Sequence, residues 1–93
     1  MARISIVGFS FTDHAISTLA DWNIIPDDLN DILERGDYIV TRNRRNRAAS
    51  HILIGYDARG RCLAAPIAPT HNPELWRVVT AWPCKPNEAA RMR

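Results

Sequence analysis

The 93-residue sequence has no run of 18 apolar residues, which excludes a membrane-spanning helix. Cysteine is scarce. Cys62 and Cys84 are too few for a disulfide scaffold and their spacing fits no zinc motif, so both are expected as reduced structural thiols. No Cys/His/Asp cluster is visible, so no metal and no cofactor are expected. Residues 4–11 follow one early arginine without a small-residue cleavage site, unlike a secretory signal. What is present is ordinary for a globular protein: 46% apolar and 24% charged residues, enough for one modest core. The expectation is a single soluble, cytoplasmic domain over residues 1–93, with a basic tail from about residue 84.

Lysine is nearly absent as well. Eleven of the twelve basic residues are arginine, and Lys85 is the twelfth. The net charge of +2 hides an asymmetry: residues 1–40 carry two bases against seven acids, residues 41–93 ten bases against three. The guanidinium fork suits phosphate, so the second half points to a polyanion-facing surface. A codon bias toward arginine is the compositional alternative.

Along the chain, residues 3–9 alternate like a short edge strand. Thr12 then offers a helix cap, Asp13 an acid at the positive dipole end, and Phe11 with Ile16 a hydrophobic staple. This predicts a helix over residues 13–21, its stripe formed by Ile16, Leu19 and Ala20. Pro26 at a first helical position, Asp27 and Asp28 behind it, and Gly36 as C-cap predict a second helix with Leu29, Ile32 and Leu33 on one face. After Gly36 the apolar period becomes two. Strands are predicted at residues 38–41, 50–56, 61–65 and 75–82, with a tight hairpin at 57–60 and a proline-rich loop at 66–74. Residues 85–93 read as a mobile basic tail or a short helix around 87–92. The fold class is α+β: two N-terminal helices packed on one face of a mainly antiparallel four-stranded sheet, with a possible N-terminal edge strand.

Several residue groups carry a family resemblance. Thr12-Asp13-His14-Ala15 opens the first helix, and Ile25-Pro26-Asp27-Asp28 with Ile32-Leu33 makes the second. An arginine-rich stretch leads into Ile52-Leu53-Ile54-Gly55-Tyr56, the turn follows, and Trp76-Arg77-Val78-Val79-Thr80-Ala81-Trp82-Pro83 closes the pattern. In this order, residues 11–83 resemble the RelE/BrnT-like toxin superfamily. The resemblance implies a metal-independent endoribonuclease, the toxin of a type II toxin–antitoxin pair, neutralised by a cognate antitoxin. Matching positions are His14, the arginines before the second strand, and Thr80 with Trp82. The sequence departs from that pattern in a short third strand ending at Pro66 and in the loop behind it.

Metal-free RNA cleavage needs a base for the 2′-hydroxyl, cations for the phosphorane and an acid for the leaving oxygen, each proton transfer contributing about 10²- to 10⁴-fold. The candidate catalytic residues are His14, His51, Arg45, Tyr56 and Thr80. His14, in a helix's first turn, is either a neutral base or a surface capping residue. His51 stands behind the arginines as acid or base, or as a half-buried strand residue. Tyr56 and Thr80 supply hydroxyls, with core packing as the plain alternative for Tyr56. Arg42, Arg44, Arg47, Arg61 and Arg77 are the candidate RNA contacts. Four arginines within residues 42–47 are the strongest local signal, although the acidic helices could pair with them. The aromatic residues Trp22, Trp76 and Trp82 read as core or partner contacts, and His71 as a loop residue. The expected partners are RNA and an antitoxin. A non-catalytic binding module on the same arginine-rich face is the alternative, and charge-driven self-association a third reading.

Overall fold

The computed structural model describes residues 6–43 and 48–92. The fold is α+β, with six strands and three helices among the described residues. The elements run β1 (Gly8–Phe11), α1 (Asp13–Ala20), α2 (Pro26–Arg35), β2 (Tyr38–Arg42), β3 (His51–Tyr56), β4 (Cys62–Pro69), β5 (Leu75–Val78), β6 (Trp82–Pro83) and α3 (Pro86–Ala90). The sheet order is β1-β5-β4-β3-β2, with β6 also paired to β4. All pairs are antiparallel except β1 with β5.

Local chemistry fixes both main helices. Thr12 Oγ1 accepts the Ala15 N–H at 3.0 Å and closes the N-terminus of α1. Pro26 opens α2, Asp28 accepts the Ile25 N–H at 3.0 Å, and Gly36 ends it in the left-handed region at φ 71°. The buried stripe of α1 is Ala15 and Leu19, one turn apart, whereas Ile16 stays 41% exposed. Of the expected stripe only Leu19 is buried, and Ala20 is exposed like Ile16, because a two-turn helix brings only its i, i+4 pair onto the sheet.

Leu19, Ile24, Leu29 and Ile32 from the helical side pack against Leu53, Leu63, Ala65, Ile67 and Val78 from the sheet. Gly55 permits the close approach of α2. A Cβ there would stand 2.6 Å from Ile32 Cγ2 and 2.8 Å from Tyr38 Cβ. Odd-numbered residues of β3 and β4 thus face the helices. Cross-strand partners Thr41, Ile52 and Pro66, and Ile39, Ile54, Ala64 and Trp82, lie on the opposite face. Among the described residues no helix is long and apolar enough to cross a membrane.

Three strand boundaries differ from the sequence expectation. The first strand begins at Gly8 and runs to Phe11, later than expected; positions 3–5 lie outside the described residues. The third strand continues through Pro66 to Pro69. Proline is tolerated because β6 pairs with Leu63 and Ala64 while β5 pairs with residues 67–69, so Pro66 faces the gap between them. Its carbonyl accepts the Val79 N–H at 3.0 Å on that side, and no ladder donor is demanded there. The expected strand over residues 75–82 is split. Pairing passes from Ile67↔Val78 to Ala64↔Trp82, a slip of one residue, which is a bulge. Of the two readings of residues 85–93, a tail or a short helix around 87–92, the helix holds, starting one residue earlier, as Pro86–Ala90 of α3.

The cysteines are corrected too. Cys62 and Cys84 form a disulfide, their Cα atoms 5.3 Å apart, rather than two thiols. The register Leu63↔Pro83 puts the next residues out, Cys62 and Cys84, directly opposite each other, and the Cys84 N–H donates to the Cys62 carbonyl at 2.9 Å. Only the pairing of β6 makes this proximity visible.

Candidate functional site

The uncovered sheet face carries a cleft of about 760 Å³. Its floor is apolar: Ile52 and Ile54 of β3, whose alternation turns them away from the helices, and the half-buried Trp82 of β6. One wall is the end of β2, with Thr41, Arg42 and Asn43. The other is the C-terminal segment, with Lys85, Asn87, Glu88 and Arg91.

A small network shapes this second wall. Glu88 accepts the Trp82 indole N–H at 3.0 Å and the Lys85 backbone N–H at 2.8 Å, which ties the first turn of α3 to the ring. The Lys85 ammonium stands 5.5 Å from the centroid of that ring, within cation–π range. The wall's one carboxylate is thereby committed to holding the wall together. Arg42, Lys85 and Arg91 are exposed. Among the described residues, every ion pair involves Asp28 or Asp57, and none involves these three cations. The cleft therefore combines three cations that form no ion pair among the described residues, and one carboxylate, with an aromatic and aliphatic floor.

The second cation cluster has the opposite character. Asp57 is completely buried at the β3–β4 turn and accepts the N–H groups of Arg59 at 3.0 Å and Arg61 at 2.8 Å. Arg61 Nε donates to Asp57 at 2.9 Å, its Nη2 to Asp28 at 2.9 Å, and its Nη1 to the Asn23 carbonyl at 2.9 Å. Arg59 adds a pair to Asp28 at 3.2 Å. Burial alone would raise the Asp57 pKa, but the Arg61 backbone and guanidinium and the Arg59 N–H together hold it below the ordinary value of 3.8. This cluster pins the α1–α2 connection to the hairpin. Arg61, a candidate RNA contact from the sequence, is instead bound to the protein's own carboxylates.

The remaining candidates are dispersed. Arg42 lines the cleft, and His51 is its cross-strand partner. The His51 Nδ1 lies 2.7 Å from Ser50 Oγ, and its ring meets Trp76 edge-on at 5.3 Å. By register Arg42 and His51 both fall on the helix-covered side with Ile67, so Arg42 borders the cleft only from the end of β2 and His51 is off the cleft floor. His14 is exposed on α1, on the helical side. The Thr80 hydroxyl donates to Thr18 Oγ1 at 3.1 Å, and Thr18 donates to the Ala15 carbonyl, which ties Thr80 to α1. Tyr56 is on the open face but lies beyond Ile54, opposite Cys62 and outside the cleft. Arg77 is exposed on that face too, opposite Ala68, two strands away from β3 and roughly 10 Å across the sheet. Arg44, Arg45 and Arg47 lie outside the described residues.

Sequence reasoning missed the second wall, Lys85, Asn87, Glu88 and Arg91. The start of its helix is marked by Pro86 at the first helical position with Glu88 two residues behind it, but no local signal shows that it flanks the sheet. Among the described residues no group of three His, Cys, Asp or Glu side chains could hold a metal ion.

Residues 11–83 match the family described as a domain of unknown function, DUF4258, and the chain belongs to that family. No curated protein matches the sequence.

Proposed function

We propose that this DUF4258 domain binds RNA in the cleft between the open sheet face and the C-terminal helix. The observation that carries this reading is the cleft itself: Arg42, Lys85 and Arg91, unpaired among the described residues, stand around the apolar floor of Ile52, Ile54 and Trp82. Phosphates want the cations, and the faces of unpaired bases want an apolar or aromatic platform, a division of labour common to sheet-based RNA binders. A duplex hides its base faces, so single-stranded RNA fits this floor better. The sequence continues from Arg42 and Asn43 into three further arginines within four residues, which adds positive potential along the chain at that end. In this reading the protein works in the cytoplasm, where its RNA is.

The test is the salt dependence of binding to a fluorescent single-stranded RNA. On a single strand each phosphate contact contributes about 0.7 to the slope of log affinity against log salt, so Arg42→Ala and Arg91→Ala should each flatten it by about 0.7. Affinity that does not respond to salt, or that neither substitution changes, would overturn the reading.

A second reading is favoured by one geometric fact, the pairing of His51 with Arg42 across β2 and β3. An imidazole beside a cation could move the 2′-hydroxyl proton while the guanidinium stabilises the phosphorane. The domain would then be a metal-independent endoribonuclease, the toxin that an antitoxin restrains. RNA fragments that accumulate with wild-type protein and vanish with His51→Ala would support it. Intact RNA after prolonged incubation with tightly binding wild-type protein would leave binding alone.

A further inference from the structure

The disulfide stands where it decides the shape of the cleft. Cys84 lies between Trp82 and Lys85, both in the lining, and Cys62 opens β4. Among the described residues the backbone ties between this segment and the sheet are few. They are the two-residue ladder Leu63↔Pro83 and Ala64↔Trp82 and the Cys84 N–H bond to Cys62. The five-residue α3 buries none of its residues, and its bond from Glu88 to Trp82 is internal to the segment. A helix this short does not persist in water on its own. The covalent bond is thus the strongest link between the wall that carries Lys85 and Arg91 and the sheet that carries the floor.

We propose that the Cys62–Cys84 disulfide is a redox control of this cleft: oxidised, it holds the cationic wall over the sheet, and reduced, it releases that wall and weakens RNA binding. The proposal rests on the RNA-binding reading above. The reductant is a dithiol. One of its thiolates attacks a protein sulfur and breaks the S–S bond, forming a mixed disulfide; its second thiol then displaces the remaining protein sulfur. Two electrons and two protons pass to the protein, which ends with two thiols, and the dithiol leaves as its own disulfide. In a compartment kept reducing, a disulfide of this kind forms on oxidative challenge rather than permanently, so the wall would report the redox state.

The experiment compares oxidised protein, protein reduced with dithiothreitol, and Cys62→Ser. Two quantities are read: affinity for a fluorescent single-stranded RNA across salt concentrations, and amide hydrogen exchange. Reduction and Cys62→Ser should both weaken binding and lower the salt slope by about 1.4, about 0.7 for each of Lys85 and Arg91. Exchange over residues 84–92 should lose its protection while β3 and β4 keep theirs. RNA binding that is equally tight and equally salt-dependent in both redox states would overturn the proposal and leave the binding reading standing. Loss of protection in β3 and β4 would overturn it as well, because the bond would then hold the domain rather than the wall. Oxidised protein that does not bind the RNA would instead overturn the binding reading, and the exchange data alone would then decide whether the bond anchors the wall.

Discussion

Removing the Arg61 side chain should cost folding stability and spare RNA affinity. The guanidinium makes three bonds, to Asp57, Asp28 and the Asn23 carbonyl, each at 2.9 Å. In Arg61→Ala the fully buried Asp57 keeps only two backbone N–H donors, and Asp28 keeps Arg59 and the Ile25 N–H. A hydrogen bond to a charged group contributes roughly 1.5–3 kcal/mol, and stripping one partner from a buried pair costs roughly 3–5 kcal/mol. The Arg61 side chain is 28% exposed, so water takes over part of the loss. The expected destabilisation is about 2–3 kcal/mol, a fall in Tm of roughly 10–20 °C for a domain of this size. Thermal and urea unfolding followed by far-UV circular dichroism measure it. A loss below about 0.5 kcal/mol, the range of an ordinary surface substitution, would refute the structural role. So would a stable variant that has lost its RNA affinity.

The pH dependence carries its own sign. Because the Asp57 pKa is lowered in the folded protein, its carboxylate contributes stability that is fully present above the ordinary value of 3.8. That contribution is lost as pH falls through the lower folded value. Asp57→Asn should therefore be less stable than wild type at neutral pH, with the difference shrinking only in strong acid; a gap that instead closes on going alkaline would contradict this. Gly55→Ala places a Cβ 2.6 Å from Ile32 Cγ2, and the forced separation of α2 from the sheet should cost about 1–3 kcal/mol in urea unfolding. Thr12→Ala removes the acceptor of the Ala15 N–H and should cost about 1 kcal/mol by the same measurement.

The helices were legible in the sequence because their signals are local. Thr12, Pro26 and Gly36 each act on the turn in which they sit, and the ends of α2 follow from them. The α+β class follows from the change of apolar period after Gly36. What stayed hidden depends on pairing across the chain. Pro66 reads as a strand breaker, and only the gap between β5 and β6 makes it harmless. Cys62 and Cys84 read as unrelated thiols until β6 sets them opposite each other. Arg61 and Arg42 have the same chemistry in the sequence, and the fold gives one to Asp28 and Asp57 and the other to the cleft. Charge composition pointed to the second half of the chain but could not tell a structural guanidinium from one facing a ligand. The cleft wall was missed because nothing local in residues 85–91 shows that they border the same cleft as Ile52 and Ile54; the pairing of β6 with β4 puts them there.

Amide chemical-shift mapping with single-stranded RNA tests RNA binding in the cleft most directly. Shifts gathered at residues 41–43, 52–54 and 82–91, with the Arg59–Arg61 turn unmoved, are the predicted result. Shifts centred on α1 and α2, or a spectrum that RNA leaves unchanged, would contradict it.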